Sequence, residues 1–263
     1  MIKRDELIDF IHNTVMGKDI LESAQKLDTN ANGIQVHGSQ EVEKVAVGVS
    51  ANMDFLKEAV DSGSQFCIFH HGLGLNDKYV YNSRLDPSMQ VKLDFVFKNN
   101  LTIAGYHYTL DHHPQIGNNA IIIDKLGAKK TEENYFDTWG WVGEFETPQK
   151  VEDLADKCSH IFEHDVFAVY SGPSNIKRIG VCSGGAKPSK SWLFEIYEKN
   201  IDLHITGEIA ESGPSIAKDG GFNYFSCGHY ASEVFGVQAL GKAIKDQFKD
   251  RVEVEFIDIS NPL

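Results

Sequence analysis

The stretch Phe66-Cys67-Ile68-Phe69-His70-His71-Gly72 is an apolar run that ends in two histidines and a glycine. Such a run is typical of a buried strand. Successive side chains of a strand point to opposite faces, so His70 and His71 would lie on different sides of one spot at the strand end. Two neighbouring metal ions could then take one ligand each. The alternative is a strand that ends in two solvated or hydrogen-bonded histidines.

Ligand-type side chains also follow two further apolar runs. Residues 105–113 (GYHYTLDHH) come after the run from Leu101 to Ala104, and residues 227–233 (CGHYASE) come after the run from Phe222 to Ser226. Six of the 11 histidines lie in these three segments, each at the exit of a predicted strand. Nitrogen and carboxylate ligands favour zinc, iron or manganese over a structural cysteine-rich zinc site.

The composition is that of an ordinary folded protein. With 263 residues, of which 41% are hydrophobic, the chain can build one large or two modest cores. It contains 25 basic and 38 acidic residues, which gives a formal net charge of −13, and no basic run stands out. This charge repels nucleic-acid phosphate and anionic membranes, so nucleic acid and membrane are both disfavoured as partners.

The N-terminal segment and the cysteines indicate a cytoplasmic protein. Residues 1–16 alternate charged and apolar side chains at helical spacing and lack the apolar core of a signal peptide. No span approaches the roughly 18 apolar residues of a membrane helix. The four cysteines, Cys67, Cys158, Cys182 and Cys227, form no close pairs in sequence. All but Cys158 lie in apolar strand-like runs, so we expect reduced thiols.

Strands alternate with helices along the chain, which predicts an α/β fold with mixed sheets. We predict helices over residues 3–15, 53–62, 87–99, 117–126, 147–162, 188–199 and 231–248. We predict strands over residues 34–36, 45–49, 66–72, 101–104, 166–170, 176–181, 202–208, 222–226 and 252–259. The small polar residues of Ser50-Ala51-Asn52 suit the N-cap of the second helix. The helix at Thr147-Pro148 is placed there because proline is favoured in a first turn.

Beyond Gly127 the pattern begins again. Gly38, Val42, Val45 and Val47 have counterparts 134 positions later, at Gly172, Ile176, Ile179 and Val181. The chain therefore reads as two possibly duplicated α/β units, over residues 1–126 and 127–263. The C-terminal helix and strand of the second unit are expected to pack back toward the first. We expect a metal site at their junction, since interdomain clefts are common ligand sites. Short apolar matches of this kind also arise by chance.

His107-x-x-x-Asp111 and His229-x-x-x-Glu233 repeat one spacing, 122 positions apart. His229 and Glu233 begin a predicted helix, so both can project from one face toward a common ion. Asp111, on a predicted strand-exit loop, can provide a further hard oxygen ligand.

These residues suggest a dinuclear arrangement. His70 and Asp111 would hold one metal, His71 and His229 the other, and Glu233 would bridge the two. Positions for water would stay open, as catalytic dinuclear sites require.

Two nearby histidines have less certain roles. His107 and His113 would be outer-layer or substrate-facing groups that carry protons. The alternative for each is a histidine bonded to backbone.

The chain resembles the GTP cyclohydrolase I type 2 homologue family, the NGG-interacting-factor-like dinuclear metal proteins. The motifs that carry the resemblance occur in order along nearly the whole chain. They are Asn32-Gly33-Ile34-Gln35-Val36-His37-Gly38, Phe69-His70-His71-Gly72, Leu110-Asp111-x-His113-Pro114, Ile205-Thr206-Gly207-Glu208, Gly228-His229-x-x-x-Glu233 and Phe256-Ile257-Asp258-Ile259.

What the resemblance implies is a fold of two intertwined α/β units and a ring-shaped homohexamer. It also implies two divalent metal ions per chain, iron, zinc or manganese, on five residues. These are His70, His71, Asp111, His229 and Glu233. The function expected on this basis is metal-dependent hydrolysis of a nucleotide-like small molecule. The alternative is a non-catalytic, metal-loaded scaffold or regulatory protein, which needs the same ligands.

Other candidate sites are weaker. Ser183-Gly184-Gly185 precedes a predicted helix, and such turns either bind phosphate through backbone N–H groups or serve as plain turns. Cys67, near His70, could suggest a thiol nucleophile, but its place inside an apolar strand favours a core residue. No serine lies in a nucleophile-elbow pattern.

Overall fold

The computed structural model describes residues 1–75, 80, 81 and 84–262, and it has an α/β fold with mixed sheets, as predicted. The chain divides into two compact units. Unit 1 contains Met1–His113 and Gly236–Ile259, and unit 2 contains Pro114–Phe235 with the chain end from Ser260.

The strands are numbered along the chain. They are β1 (Ile2–Lys3), β2 (Asn32–Val36), β3 (Glu41–Val42), β4 (Lys44–Ser50), β5 (Phe66–His71), β6 (Val80–Tyr81), β7 (Arg84–Leu85), β8 (Thr102–Tyr106), β9 (Lys129–Tyr135), β10 (Gly140–Lys150), β11 (Phe167–Val169), β12 (Asn175–Val181), β13 (Leu203–Thr206), β14 (Asn223–Ser226) and β15 (Glu253–Phe256). Two short antiparallel pairs, β1 with β3 and β6 with β7, stand apart from the main sheets.

The α-helices are numbered in the same way. They are α1 (Arg4–Asp9), α2 (Lys18–Leu27), α3 (Met53–Asp61), α4 (Pro87–Lys98), α5 (His107–His112), α6 (Asn118–Lys125), α7 (Val151–Phe162), α8 (Leu193–Glu198), α9 (Gly213–Gly220) and α10 (His229–Phe248). A π-helix covers Phe10–Met16, and 3-10 turns cover Lys190–Trp192 and Lys249–Arg251. Across the described part of the chain, no helix combines the length and the apolar character needed to cross a membrane.

The main sheet of unit 1 has the strand order β15-β4-β5-β8-β2. The first four strands are parallel, and β2 runs antiparallel to β8. Strand β5 lies in the middle, where parallel strands are covered on both faces and read as continuous apolar runs. This explains why residues 66–69 are all apolar. The ring of Phe69 packs edge to face against the ring of Phe55 in α3, with centroids 4.5 Å apart.

Two helix starts of unit 1 follow local capping rules. Asn52 Oδ1 accepts a hydrogen bond from Phe55 N at 2.8 Å, so the predicted cap of α3 is confirmed. Asp86 Oδ1 accepts from Ser88 N and Met89 N at the start of α4, where Pro87 occupies the first turn. In both cases a side-chain oxygen satisfies N–H groups that the helix leaves without a partner.

The first predicted helix is divided into α1 and the π-helix. Along one face of this segment, Leu7 and Ile11 have no exposed surface, and Ile8 and Val15 are half-buried. The π-helix closes with an i→i−5 bond from Gly17 N to His12 O at 3.1 Å, and Gly17 ends it with a φ of 78°. In this wider turn His12 Nε2 lies 2.9 Å from the hydroxyl of Tyr106.

The sheet of unit 2 has the strand order β11-β14-β13-β12-β10-β9. Strands β12, β13 and β14 are parallel neighbours, and β11, β10 and β9 are antiparallel additions at the two sides. Each unit thus contains three neighbouring parallel strands in chain order. The duplication itself stays a prediction.

Two predicted helix starts are wrong. Thr147 and Pro148 belong to β10, and α7 begins only at Val151. The ladder between β10 and β12 is irregular between Glu144 and Gln149, and such irregularities accept a proline, which has no N–H to donate. The helix predicted from residue 188 begins as a 3-10 turn at Lys190 and becomes α-helical only from residue 193.

Candidate metal centre

The end of β5 holds the histidine pair. His70 has no exposed surface, and its ring centroid lies 4.7 Å from that of His71. Ser50 at the end of β4 is the register partner of His71, and its Oγ lies 3.1 Å from His71 Nδ1. With Nδ1 in contact with Ser50, Nε2 is the ring nitrogen of His71 that would coordinate an ion.

The glycine after the pair has a steric role. A Cβ on Gly72 would lie 2.2 Å from Gln35 Oε1 and 3.1 Å from the Cβ of Ala31. The Gln35 amide is fixed there, because its Oε1 accepts from Leu73 N at 2.7 Å and its Nε2 donates to Leu73 O at 2.6 Å. A residue larger than glycine would displace this arrangement directly behind the two histidines.

Asp111 lies in the short helix α5, so the prediction that it stands on a loop is wrong. The cause is capping from a distant segment. Asp28 Oδ2 accepts from Tyr108 N at 3.1 Å, and Asn32 Oδ1 accepts from Thr109 N at 2.9 Å. These two side chains satisfy the first N–H groups of α5, which then turns Asp111 back toward the end of β5.

The ligand-type atoms of unit 1 form a close group. His70 Nε2 lies 3.7 Å from Asp111 Oδ2, and the rings of His70 and His107 have centroids 4.8 Å apart. One nitrogen from each of His70, His71 and His107 lies within 4.8 Å of the others. Imidazole nitrogens beside a carboxylate oxygen are a suitable donor set for zinc, iron or manganese.

Asp28 orients His107. His107 Nδ1 donates to Asp28 Oδ2 at 2.8 Å, and Asp28 itself is almost fully buried. Burial alone would raise the pKa of Asp28, but the hydrogen bond and charge of His107, with hydrogen bonds from Asn30 and Asn32, lower that pKa to about 2. A carboxylate on Nδ1 fixes the ring and leaves Nε2 for an ion or a proton.

In unit 2, α10 begins with the predicted His229 and Glu233. As expected from their spacing, they face each other, with His229 Nε2 3.2 Å from Glu233 Oε1. The Nδ1 atom of His229 lies 2.6 Å from Glu208 Oε1, and Glu208 is also paired with Lys187. Burial alone would lower the pKa of His229, but Glu233 and Glu208 together raise it to about 9. An ion at Nε2 therefore has to displace a proton.

The turn Ser183-Gly184-Gly185 lies against this pair. A Cβ on Gly184 would lie 2.2 Å from Glu233 Oε1 and 3.2 Å from His229 Nε2, and Gly184 has a φ of +61°. Gly184 N donates to Ser232 Oγ at 3.0 Å, and Ser183 N donates to Asn119 Oδ1 at 2.7 Å. Since these N–H groups have protein acceptors, the geometry fits the plain-turn interpretation better than phosphate binding.

Two other candidates lie in packed surroundings. His113 is buried, and its Nε2 donates to Val15 O at 2.9 Å, which matches the backbone-bonded alternative. Burial lowers the pKa of His113, although that hydrogen bond opposes the shift. Cys67 has no exposed surface, and burial raises the pKa of its thiol to about 12, so it is a core residue.

Sequence reasoning missed the side chains behind the ligands. Asp28 begins the stretch Asp28-Thr29-Asn30-Ala31-Asn32-Gly33, whose residue types are typical of a turn and do not by themselves indicate a partner for a histidine. Glu208 ends a predicted strand and one of the motifs that carry the family resemblance, but no local pattern pairs it with His229. The sequence carried no signal for Ser50 beyond its place at a strand end.

Comparison with known proteins gives a consistent result. A family model described as Duf34/NIF3 (NGG1p interacting factor 3) matches residues 3–262. A protein named "GTP cyclohydrolase 1 type 2 homolog" from Buchnera aphidicola (subsp. Schizaphis graminum) is 31% identical over 255 residues, which cover 97% of this chain and 99% of that one. A protein of the same name from Haemophilus influenzae is 30% identical, with 91% and 94% covered.

The solved structures extend this likeness to three dimensions. The structure titled "protein ybgI, unknown function" superimposes with a TM-score of 0.85 at 29% identity, and both chains are covered completely.

Proposed function

This chain belongs to the Duf34/NIF3 family, and from that premise we propose that it is a dinuclear metal protein that hydrolyses a nucleotide-like substrate. The observation that carries the proposal is the group at the end of β5, where His70 Nε2 lies 3.7 Å from Asp111 Oδ2 and the rings of His70 and His71 have centroids 4.7 Å apart. Two imidazoles beside a carboxylate form a donor set that suits a divalent cation.

We assign the ligands as the sequence suggested. His70 and Asp111 would hold one ion, His71 and His229 would hold the other, and the Glu233 carboxylate would be shared between them. Within unit 1, the 3.7 Å between His70 Nε2 and Asp111 Oδ2 supports the first pair. Within unit 2, the 3.2 Å between His229 Nε2 and Glu233 Oε1 supports placing both side chains on one ion.

Ions bound there would supply Lewis acidity and would lower the pKa of water from about 15.7 to about 7. The protein's own contribution is orientation and proton transfer. Ser50 and Glu208 fix the rings of His71 and His229 through Nδ1. Asp28 holds Nδ1 of His107 in the same way, so His107 Nε2 can accept a proton from water and return it to the leaving group. His113 stays the second candidate for that transfer.

The relatives' printed name, "GTP cyclohydrolase 1 type 2 homolog", gives the substrate class that we propose. Opening of a guanine-type ring and cleavage of a phosphoester both require a polarised electrophile and an activated water. Both are requirements that a pair of bound divalent ions would meet.

Metal analysis tests the site. Protein purified without chelators should contain close to two first-row divalent ions per chain. Glu233→Ala should deplete both ions, because that carboxylate bridges them, and His71→Ala should deplete one. A metal-free wild type, or an unchanged metal content in His71→Ala, would show that the assignment is wrong.

Turnover tests the chemistry. The metal-loaded protein should hydrolyse at least one member of a panel of GTP, other nucleotides and generic phosphoesters, and Asp111→Ala should not. Full metal occupancy without turnover would favour the alternative function, a metal-loaded scaffold or regulatory protein.

We also propose a ring-shaped homohexamer in the cytoplasm, as the family resemblance implies. The four cysteines are buried and free, which fits a reducing compartment. Light scattering should give six times the mass of one 29.3 kDa chain. A single-chain mass at micromolar concentration would contradict the assembly.

A further inference from the structure

A cavity of about 550 Å³ lies within unit 1, and His71 forms part of its wall. It is bounded by residues 29–35, the ends of β4 and β5 with the chain that follows them, and the first turns of α4. The volume is in the range of pockets that hold small organic ligands, about 300 to 1,000 Å³. A cavity of this size beside a proposed metal ligand can hold a whole small molecule.

The charge of the cavity wall is unusual for this chain. Among the described residues that line it there is no aspartate or glutamate, and Lys92 is the one lysine or arginine, in a protein with a net charge of −13. No carboxylate in the described ranges forms an ion pair with Lys92. The nearest acid is Asp86, whose pKa is lowered mainly by its hydrogen bonds to Ser88 and Met89 and least by the charge of Lys92; its Oδ1 is bound at the start of α4, and its Oδ2 forms no hydrogen bond within the described ranges.

Most polar groups of the wall are already used. The Gln35 amide is bound to Leu73, and Ser50 Oγ is bound to His71 Nδ1. Asn52 uses Oδ1 to cap α3, while its Nδ2 has no acceptor among the residues that the structure describes. The Asn52 amide and the Lys92 ammonium group are therefore donors that a ligand can use, together with the Thr29 hydroxyl.

We infer that this cavity binds a phosphomonoester of nucleotide size, with Lys92 and Asn52 as donors to its phosphate and with the remainder of the molecule reaching His71. A lysine that forms no ion pair within the described ranges is a suitable point charge for phosphate. Ile34, Leu73 and Met89 provide apolar surface in the same wall for a ring. The inference rests on the proposed function, since it takes His71 as a ligand of the metal centre.

Calorimetric titration of the metal-loaded protein with GMP and guanosine tests the role of Lys92. The wild type should bind GMP at least about tenfold more tightly than guanosine, since a hydrogen bond to a charged group supplies about that factor. Lys92→Met should weaken GMP about tenfold and leave guanosine unchanged, and Lys92→Arg should bind GMP nearly normally.

The matched control is Lys98→Met. Lys98 is an exposed lysine in the same helix, it pairs with Asp94, and it does not line the cavity. It should bind GMP as the wild type does. Equal GMP affinity in wild type and Lys92→Met, or no GMP binding at millimolar concentration, would overturn the inference.

Asn52→Asp provides a second test with a substitution that should not impair folding. The carboxylate can still accept the Phe55 N–H, because aspartate and asparagine cap helices about equally well. It also places a negative charge in the cavity wall. GMP affinity should fall by about tenfold or more while the thermal midpoint stays the same, and normal GMP binding by this variant would contradict the inference.

The two proposals fail in different ways. Lys92-dependent binding of GMP without turnover of any substrate would contradict the hydrolase proposal alone. Turnover of GTP with the same KM in wild type and Lys92→Met would contradict this inference alone.

Discussion

The Nδ1 atom of His229 lies 2.6 Å from Glu208 Oε1, and this contact leaves Nε2 facing Glu233. Unit 1 contains the same relationship, with His107 Nδ1 2.8 Å from Asp28 Oδ2. A carboxylate on Nδ1 fixes the tautomer and the orientation of an imidazole and makes its other nitrogen more basic. Both histidines are therefore positioned by the protein before any ion binds.

Glu208→Gln should lower metal affinity about tenfold, at the lower end of the effect expected for an outer-layer partner, because glutamine can still accept a hydrogen bond but carries no charge. Competition with a chromogenic chelator measures this affinity. Glu211→Gln is the matched control, since Glu211 is exposed and its removal should change nothing. Identical affinities in wild type and Glu208→Gln would show that the contact does not support metal binding.

Gly184→Ala should reduce both stability and metal content. The new methyl group would meet Glu233 Oε1 at 2.2 Å, and φ at residue 184 is +61°, a region that alanine avoids. Gly185→Ala is the control one residue away, where the nearest atom to the new Cβ would be 3.9 Å distant. Thermal melts and metal analysis of the two variants should differ clearly. Equal behaviour would mean that the turn can move away from the carboxylate.

His107→Gln should keep its metals and lose turnover by about a hundredfold or more, because general acid–base groups contribute factors of about 10² to 10⁴. Asp28→Asn should lose turnover too, because the amide oxygen can still accept from Nδ1–H of His107 but carries no charge to stabilise the imidazolium that forms when His107 takes up a proton. Metal content and kcat of both variants provide the measurement. A loss of metal from His107→Gln would make His107 a ligand and not a proton carrier.

His204 should make stability depend on pH. It is fully buried between Tyr135 and the Ala186 carbonyl, and burial, although opposed by that carbonyl, lowers its pKa from 6.5 to about 4. The unfolded chain thus takes up the proton first as pH falls. The neutral ring contributes stability that is present above pH 6.5 and is lost as pH falls toward 4, by at most about 3 kcal/mol.

Urea unfolding at a series of pH values measures this loss. His204→Gln should be less stable than wild type at pH 7, but its stability should decline less between pH 6.5 and 5. Parallel pH profiles for the two proteins would contradict a buried neutral imidazole.

The parallel strands could be predicted from the sequence because strands buried on both faces consist of continuous apolar residues. The apolar runs of β4, β5 and β8 stand out in any window. Strand β9 was missed because its sequence, KKTEENY, is largely polar; it is an edge strand, and of its residues only Tyr135 is fully buried. Edge strands take their conformation from a neighbour and need no apolar pattern of their own.

The ligand residue types could be predicted, but their supports could not. The hydrogen bond between Asp28 and His107 spans 79 residues, and the one between Glu208 and His229 spans 21. The helical state of Asp111 depends on the same long-range contact, because Asp28 caps α5. No local window contains that information, so the loop prediction for Asp111 failed for the same reason that Asp28 was overlooked.

The glycine after the histidine pair has a consequence for protein design. Gly72 is bare because the Gln35 amide occupies the space where its side chain would be, and that amide is held by Leu73. A designer who grafts His70 and His71 onto another parallel sheet would therefore transfer the ligands without the clearance behind them. A graft should therefore transfer the two histidines together with the glycine that follows them and the glutamine whose amide packs against that glycine. Without the glutamine amide, the backbone at the strand end would lose the hydrogen bonds that fix its position.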